Sequence, residues 1–379
     1  MPGATLPGRT TVLPRVELGG PTPRLVVPGK PRYERTRRLG EGGIGEVHGA
    51  RDNDIERDVA VKRLRPEAMS PAALLRFVEE VRTVGRLEHP NIVPIHDVGV
   101  DERGEYYFVM KYVDGETLED VVDKLAAGDR AYHARYTFER RVQIVHALLD
   151  ALAFAHERSI IHRDIKPANV MIGPHGEVML MDWGIAKDLA AATTDLAAEE
   201  VCPHPARRGA LFQTVAGQLV GTPAYMAPEQ ARGEPVDARS DLYSLSMLFY
   251  ELLTLQHPLA DKASLAAMLE GVKNEDPPFA TSARSPHQPA VPAELAWLVR
   301  RGLAKDPAAR FQSAGEMIDR LARRAEGQIP VQCHITLVKR VNGEWTRFVD
   351  RHPTLMTIGF GLVLLGFLAG IVMTILRLV

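Results

Sequence analysis

Glycine stands at positions 40, 42, 43 and 45, and the next apolar segment reads as a strand ending in lysine rather than as a helix. Glycines at such spacing let a turn lie close over phosphates, because no Cβ blocks the backbone. The turn alone fits two architectures. A dinucleotide-binding unit runs directly into a helix and then presents an acidic residue. Here the apolar run Val59-Ala60-Val61 reads as a strand and closes on Lys62, about 17 residues beyond Gly45. An ammonium at the end of an apolar strand is costly unless it meets an anion. Glu80 can supply one. It lies on a helix that opens at Ser70-Pro71, a hydroxyl N-cap with proline in the first turn. Leu74, Val78, Val81 and Gly85 share one face of that helix.

A second constellation is His162-Arg163-Asp164-Ile165-Lys166-Pro167-Ala168-Asn169. It gathers a carboxylate, an ammonium and an amide into one tight polar loop. Asp164 can orient a hydroxyl and accept its proton. Lys166 can steady negative charge on a transferred group, and Asn169 offers a neutral oxygen to a hard cation. The third is Asp182-Trp183-Gly184, after the apolar run 178–181. A carboxylate at a strand end suits Mg²⁺ bridging phosphates. The order and spacing of all three are far more specific than any one of them.

In this order the motifs resemble the protein kinase superfamily, and most of all the bacterial eukaryotic-like (Hanks-type) serine/threonine kinases. The resemblance runs from about Tyr33 to about Ala325 and includes His89-Pro90-Asn91-Ile92-Val93, Gly221-Thr222-Pro223-Ala224-Tyr225-Met226-Ala227-Pro228-Glu229 and Lys305-Asp306-Pro307-Ala308-Ala309-Arg310-Phe311. It implies an α+β, bilobal fold. A small antiparallel-sheet N-lobe with one main helix would span residues 32–113, and a larger, mostly helical C-lobe 114–326. It implies ATP and Mg²⁺ (or Mn²⁺) as cofactors. Leu39, Gly40, Glu41, Gly42, Gly43, Ile44 and Gly45 would cover the nucleotide, with Lys62 on its phosphates and Glu80 bracing Lys62. Val47, Ala60 and Met171 would sandwich the base, Met110 would be the gatekeeper, and Lys111 to Val113 the hinge. Asn169 and Asp182 would hold the metal. Asp164 and Lys166 would act on the substrate hydroxyl. Glu229 would pair with Arg310, and Asp241 would bond the backbone of the catalytic loop. Lys166 and Thr222 resemble the Ser/Thr branch. Two departures stand out. Trp183 replaces the usual phenylalanine and should pack near Val84, and the 182–229 segment carries an inserted stretch around 190–210.

Outside this region the chain changes texture. Residues 1–31 hold seven prolines and no sustained period, which reads as a disordered tail. Residues 327–353 form a juxtamembrane segment. There Ile335 to Val341 alternates, and Asn342-Gly343 signals a hairpin whose second strand would be Trp345 to Val349. Leu355 to Leu376 has no charge and, at about 33 Å as a helix, is long enough to cross a bilayer, giving a transmembrane helix over 354–378. Lys339, Arg340, Arg347 and Arg351 precede it and only Arg377 comes after, so the positive-inside rule places a single-pass protein in the cell membrane with its large domain in the cytoplasm. Gly366 and Gly370 have the spacing that lets a second copy approach, a homodimer.

Net charge is −2, which gives no argument for nucleic acid as a partner. Cys202 and Cys333, the two cysteines, lack metal-site spacing and read as free thiols. The expected partners are protein substrates and the lipid bilayer. Arg163 beside Asp164 calls for an anion, and the resemblance implies that a phosphorylated loop residue supplies it. Thr214 is the first candidate, with Thr193 and Thr194 behind it. Two rival readings remain: a pseudokinase scaffold that binds nucleotide without catalysis, and a small-molecule phosphotransferase. The retained Lys62, Glu80, Asp164, Asn169 and Asp182 weigh against the first, and Ala227-Pro228-Glu229 with Thr222 against the second.

Overall fold

The computed structural model describes residues 15–17, 24–26, 31–41, 45–64, 71–101, 104–183 and 223–378. Two short strands, β1 (Arg15–Glu17) and β2 (Arg24–Val26), pair antiparallel in the N-terminal segment. This amends the expectation of a tail without regular structure. Three residues on each side of the prolines suffice to exchange backbone bonds, although such a pair is marginal alone.

Five strands then build one antiparallel sheet: β3 (Tyr33–Glu41), β4 (Gly45–Asp52), β5 (Arg57–Leu64), β6 (Ile95–Val100) and β7 (Tyr106–Lys111), in the order β3-β4-β5-β7-β6. Val59, Ala60 and Val61 are almost wholly buried, as expected of a central strand. Gly45 has no alternative at its position, since a Cβ there would lie 2.5 Å from the carbonyl oxygen of Arg63 on the neighbouring strand. Helix α1 (Pro71–Val84) crosses one face, and Phe77 packs with Leu64 and Phe108.

After β8 (Glu116–Thr117) the chain turns helical. Thr117 and Asp120 form a reciprocal cap on α2 (Leu118–Ala126), which satisfies two otherwise orphaned amides. Next come α3 (Arg130–Arg135) and α4 (Phe138–His156), then β9 (Val170–Ile172) and β10 (Val178–Leu180). They are followed by α5 (Pro228–Arg232), α6 (Ala238–Thr254), α7 (Leu265–Asn274), α8 (Ala293–Gly302) and α9 (Ala314–Ala325). One continuous core joins α2, α4, α6, α8 and α9. Helix α6 is buried nearly along its whole length. Its serines stay satisfied because Ser244 and Ser246 donate to the carbonyls of Ser240 and Leu242. The bilobal α+β fold implied by the resemblance is therefore present.

The juxtamembrane hairpin is corrected. Residues His334–Arg351 form a helix, α10. Asn342-Gly343 lies inside it, because Gly343 lets the helix approach Gly327: an added Cβ would come within 3.2 Å of the Gly327 carbonyl oxygen. Thr336 caps its start by accepting from the amides of Gln332 and Cys333. Lys339 anchors it to α8 through Glu294 at 2.7 Å. Tertiary contact has overridden local turn chemistry. Last comes α11 (Pro353–Leu378), whose stretch Pro353–Ile371 has a mean hydropathy of 2.1 and no buried side chain among the described residues.

Candidate active site

β5 delivers Lys62 to the cleft and α1 delivers Glu80. Lys62 Nζ lies 2.6 Å from Glu80 Oε1 and 3.1 Å from Asp182 Oδ1. Asp182 comes just after β10 and takes a left-handed backbone, φ +50°, which turns its carboxylate toward the lysine. The small sheet, its helix and the end of the C-lobe hairpin thus meet at one ammonium.

The polar loop runs between α4 and β9. Buried Asp241, in the first turn of α6, fixes it: its carboxylate accepts from the amides of His162 (2.8 Å) and Arg163 (2.9 Å) and bonds the His156 ring at 2.8 Å. That grip holds Arg163 at φ +67°, a strained conformation for an arginine. Asp164 Oδ2 then accepts from Lys166 Nζ (3.0 Å) and Asn169 Nδ2 (3.1 Å), and the same amide nitrogen reaches the Asp164 carbonyl at 2.8 Å. Glu229 and Arg310 form a two-pronged buried pair at 2.7 and 2.8 Å, with Ser240 donating to the same carboxylate.

The protein kinase domain model matches residues 33–320. This chain belongs to the protein kinase family. It is similar to the serine/threonine-protein kinase PknB of Mycolicibacterium smegmatis, with 41% identity over 303 residues that cover 79% of this chain and 44% of that one. PknB of Mycobacterium tuberculosis shows 39% identity over 303 residues with the same coverage. The chain thus spans a little under half the length of these relatives. Among solved structures, the kinase domain of Mycobacterium tuberculosis PknI superposes with a TM-score of 0.52 at 27% identity, covering 78% of this chain and 96% of that one.

The electrostatics suit a kinase cleft. Burial disfavours the Lys62 ammonium, but Asp182 and Glu80 outweigh it and hold its pKa above the ordinary value. The attraction of Lys62 outweighs partial desolvation in the cleft and pulls Asp182 below the usual carboxylate range. His162 is neutral: burial pushes its pKa down. Its tautomer is set by its partners. The Asp164 amide can only donate, so Nδ1 accepts at 3.2 Å and Nε2–H donates to the Met181 carbonyl at 3.0 Å.

A divalent cation fits the remaining donors. Asn169 spends its amide nitrogen on Asp164, which leaves its oxygen to the cleft, and half of the Asp182 side chain is exposed. Among the described residues no cluster of three metal-ligating side chains occurs. Two oxygens without a full cage suit Mg²⁺, which keeps waters and substrate phosphates as ligands.

Several expected residues lie on the strands that frame the cleft. Gly40 faces Val47 across β3 and β4, Val47 faces Lys62, and Ala60 faces Met110. Lys111 ends β7, Val113 lies two residues beyond, Met171 sits on β9, and Leu39 is 39% exposed. Gly42, Gly43, Ile44, Gly184, Thr193, Thr194, Cys202, Thr214 and Thr222 lie outside the described residues, and so does the inserted stretch. Trp183 is 2% exposed, lies with its ring 4.7 Å from the His162 ring at a tilt of 49°, and shares its core cluster with Val84.

Sequence reading missed Gln230. Its Oε1 accepts from the Ala227 amide (2.9 Å) and its Nε2 donates to the Arg163 carbonyl (3.2 Å), tying α5 to the catalytic loop. It missed His156 as well. A neutral amide and a helix-end histidine carry no motif of their own, and only their proximity to Asp241 and Arg163 reveals them.

Proposed function

We propose that this kinase transfers the γ-phosphoryl group of ATP to serine or threonine hydroxyls of protein substrates. The observation that carries the reading is Lys62, held at once by Glu80 and Asp182 in a cleft where Asp164, Lys166 and Asn169 converge. Mg²⁺ (or Mn²⁺), when bound, would neutralise phosphate charge, with Asn169 and Asp182 as its protein donors. Lys62 binds the phosphates. Asp164 accepts a bond from the substrate hydroxyl and aligns it, and Lys166 stands 3.0 Å from that carboxylate to meet developing charge. Val47, Ala60 and Met171 enclose the base, with Met110 to Val113 at its edge and residues 39–45 above the phosphates. The similarity to PknB favours serine and threonine. Radiolabel from Mg·ATP appearing in protein tests this, with Asp164→Asn as the control. Incorporation that persists undiminished in Asp164→Asn overturns the role of Asp164. None in the wild-type chain turns the reading to a pseudokinase scaffold.

By resemblance to kinases that carry an arginine beside the catalytic aspartate, an activation-loop phosphate is the expected regulator, at Thr214 before Thr193 or Thr194. Mass spectrometry of active enzyme locates it.

Helix α11 supports a membrane anchor. It is 26 residues long and apolar, and none of the described side chains of Pro353–Ile371 is buried, an arrangement that water does not favour. The basic residues before it support a kinase domain on the cytoplasmic side. Carbonate-resistant fractionation of the full chain is the test. A homodimer through Gly366 and Gly370 is read out by cross-linking within the bilayer.

A further inference from the structure

Between α9 and α10 lies a cleft of ≈ 610 Å³ whose lining includes Arg320, Arg323, Arg340, Arg347 and Arg351 against a single acid, Glu344. Glu344 is already engaged by Arg340 at 2.8 Å. No carboxylate among the described residues forms an ion pair with Arg320, Arg323, Arg347 or Arg351, and their one-sided charge calls for an anion. Burial, Arg301 and Arg323 lower the Arg320 pKa and outweigh the attraction of Glu316. The catalytic machinery has no use for this cleft.

Its position tells which anion. Arg351 is the last residue of α10, and α11 begins at Pro353. On α10 the exposed side chains Leu337, Val338, Val341, Trp345 and Phe348 form one stripe, and Arg340, Arg347 and Arg351 flank it one and two turns apart. An apolar stripe rich in aromatics beside an arginine row is the pattern of a helix lying in the headgroup layer. Lys339 to Glu294 and Arg324 to Glu139 and Glu294 pin α10 and α9 to the C-lobe, so the stripe and the cleft are presented by the kinase domain itself.

We propose that the cleft between α9 and α10 is a binding site for the phosphate headgroup of an anionic phospholipid, which seats the C-lobe against the inner leaflet. The inference rests on the membrane reading of α11. Basic juxtamembrane residues gain from an anionic leaflet, and arginine grips a phosphodiester with paired N–H donors. The kinase domain would then be docked on the bilayer by α10 rather than hanging free on α11.

The test uses the full chain in mild detergent, presented with equal phosphatidylglycerol and phosphatidylcholine, with retained lipid counted by native mass spectrometry. The wild-type chain is expected to retain phosphatidylglycerol at least about 10-fold over phosphatidylcholine. Arg320→Gln/Arg347→Gln/Arg351→Gln should bring the two lipids near parity while autophosphorylation is kept. The corresponding triple lysine variant should keep a preference, and it guards against misfolding as the cause of a loss. Parity in the wild-type chain overturns the proposal. So does an undiminished preference in the glutamine variant. Complete displacement of lipid by millimolar inorganic phosphate overturns the lipid source in favour of free phosphate. Membrane fractionation of the same preparations separates the two readings. A chain that leaves the membrane fraction sinks the anchor and this inference together. A chain that stays there and shows parity sinks the headgroup site alone.

Discussion

The two lobes are built on different principles. The C-lobe has one continuous core that spans five helices and encloses Arg310, a fully buried charge paired with Glu229. The N-lobe has two small clusters on either face of its sheet, one around Val59 and Val61 and one around Phe77. What joins α1 to the cleft is the Lys62–Glu80 pair rather than a large apolar surface. Packing thus sets the stability of one lobe, and charge at the cleft sets the position of the other. Such a division suits a kinase, whose platform must be rigid and whose nucleotide lobe must move.

Breaking each lobe's ion pair should separate the two principles. Glu229→Gln strips Arg310 of its counter-charge where no water can reach, and should cost about 3–5 kcal/mol in urea unfolding. If the midpoint barely moves, the C-lobe does not depend on the pair as its burial implies. Lys62→Met should act in the opposite sense. Phosphoryl transfer should fall about 10²–10³-fold, by analogy with loss of one charge-stabilising donor. Global stability should change much less, because burial already raises the Glu80 pKa and the abandoned carboxyl can protonate. Hydrogen exchange in α1 should quicken while α6 stays protected. Equal quickening in both helices would mean that the lobes unfold as one unit.

The same contrast explains what the sequence disclosed. Lys62, Glu80, Asp164, Asn169 and Asp182 stood out because each is a polar residue that needs a partner, in a short pattern of fixed spacing, whereas Asp241 and the Glu229–Arg310 pair came only from the resemblance to kinases, since no spacing links residues 81 apart. The bilobal layout was legible because strand-like texture gives way to helical texture near residue 114. What stayed hidden depends on contacts distant in sequence. Asn342-Gly343 reads as a turn until Gly327 is found beneath it, and α10 then forms instead of a hairpin. Gln230 looks like any surface amide until it reaches Arg163. Nothing in the 178–183 run shows that Trp183 will pack against the His162 ring.

Acid should find the C-lobe platform before it finds the sheet. His257 lies just past α6, accepts the Leu259 amide on Nδ1 at 3.1 Å, and meets the Tyr225 ring at 5.0 Å. Burial pushes its pKa down to about 4 from an ordinary value of 6.5. The folded value lies below the unfolded one, so the neutral ring favours the fold. Its contribution is complete above about pH 6.5 and fades as pH falls toward 4. Between pH 7 and 5 the loss from this group should be about 2 kcal/mol. His257→Asn, whose amide oxygen can still accept from Leu259, should flatten the urea midpoint over that range relative to wild type. Parallel pH profiles for the two proteins would show that another group controls the acid limb.

The smallest effect is expected where the lobes meet. Trp183 fills the space beside His162, but its indole N–H is buried without a partner among the described residues. An orphaned donor of that kind costs about 1–3 kcal/mol. Trp183→Phe removes the donor and also part of the ring, leaving a cavity whose cost is of similar size and opposite sign. The two should nearly cancel, so the unfolding free energy should shift by no more than about 1 kcal/mol and transfer activity should survive. Trp183→Ala removes the ring without that compensation and should cost about 3–5 kcal/mol. A large loss in Trp183→Phe, close to that of the alanine variant, would mean that the indole nitrogen is satisfied in solution. The junction would then be held by a polar contact like the N-lobe, rather than by shape like the C-lobe.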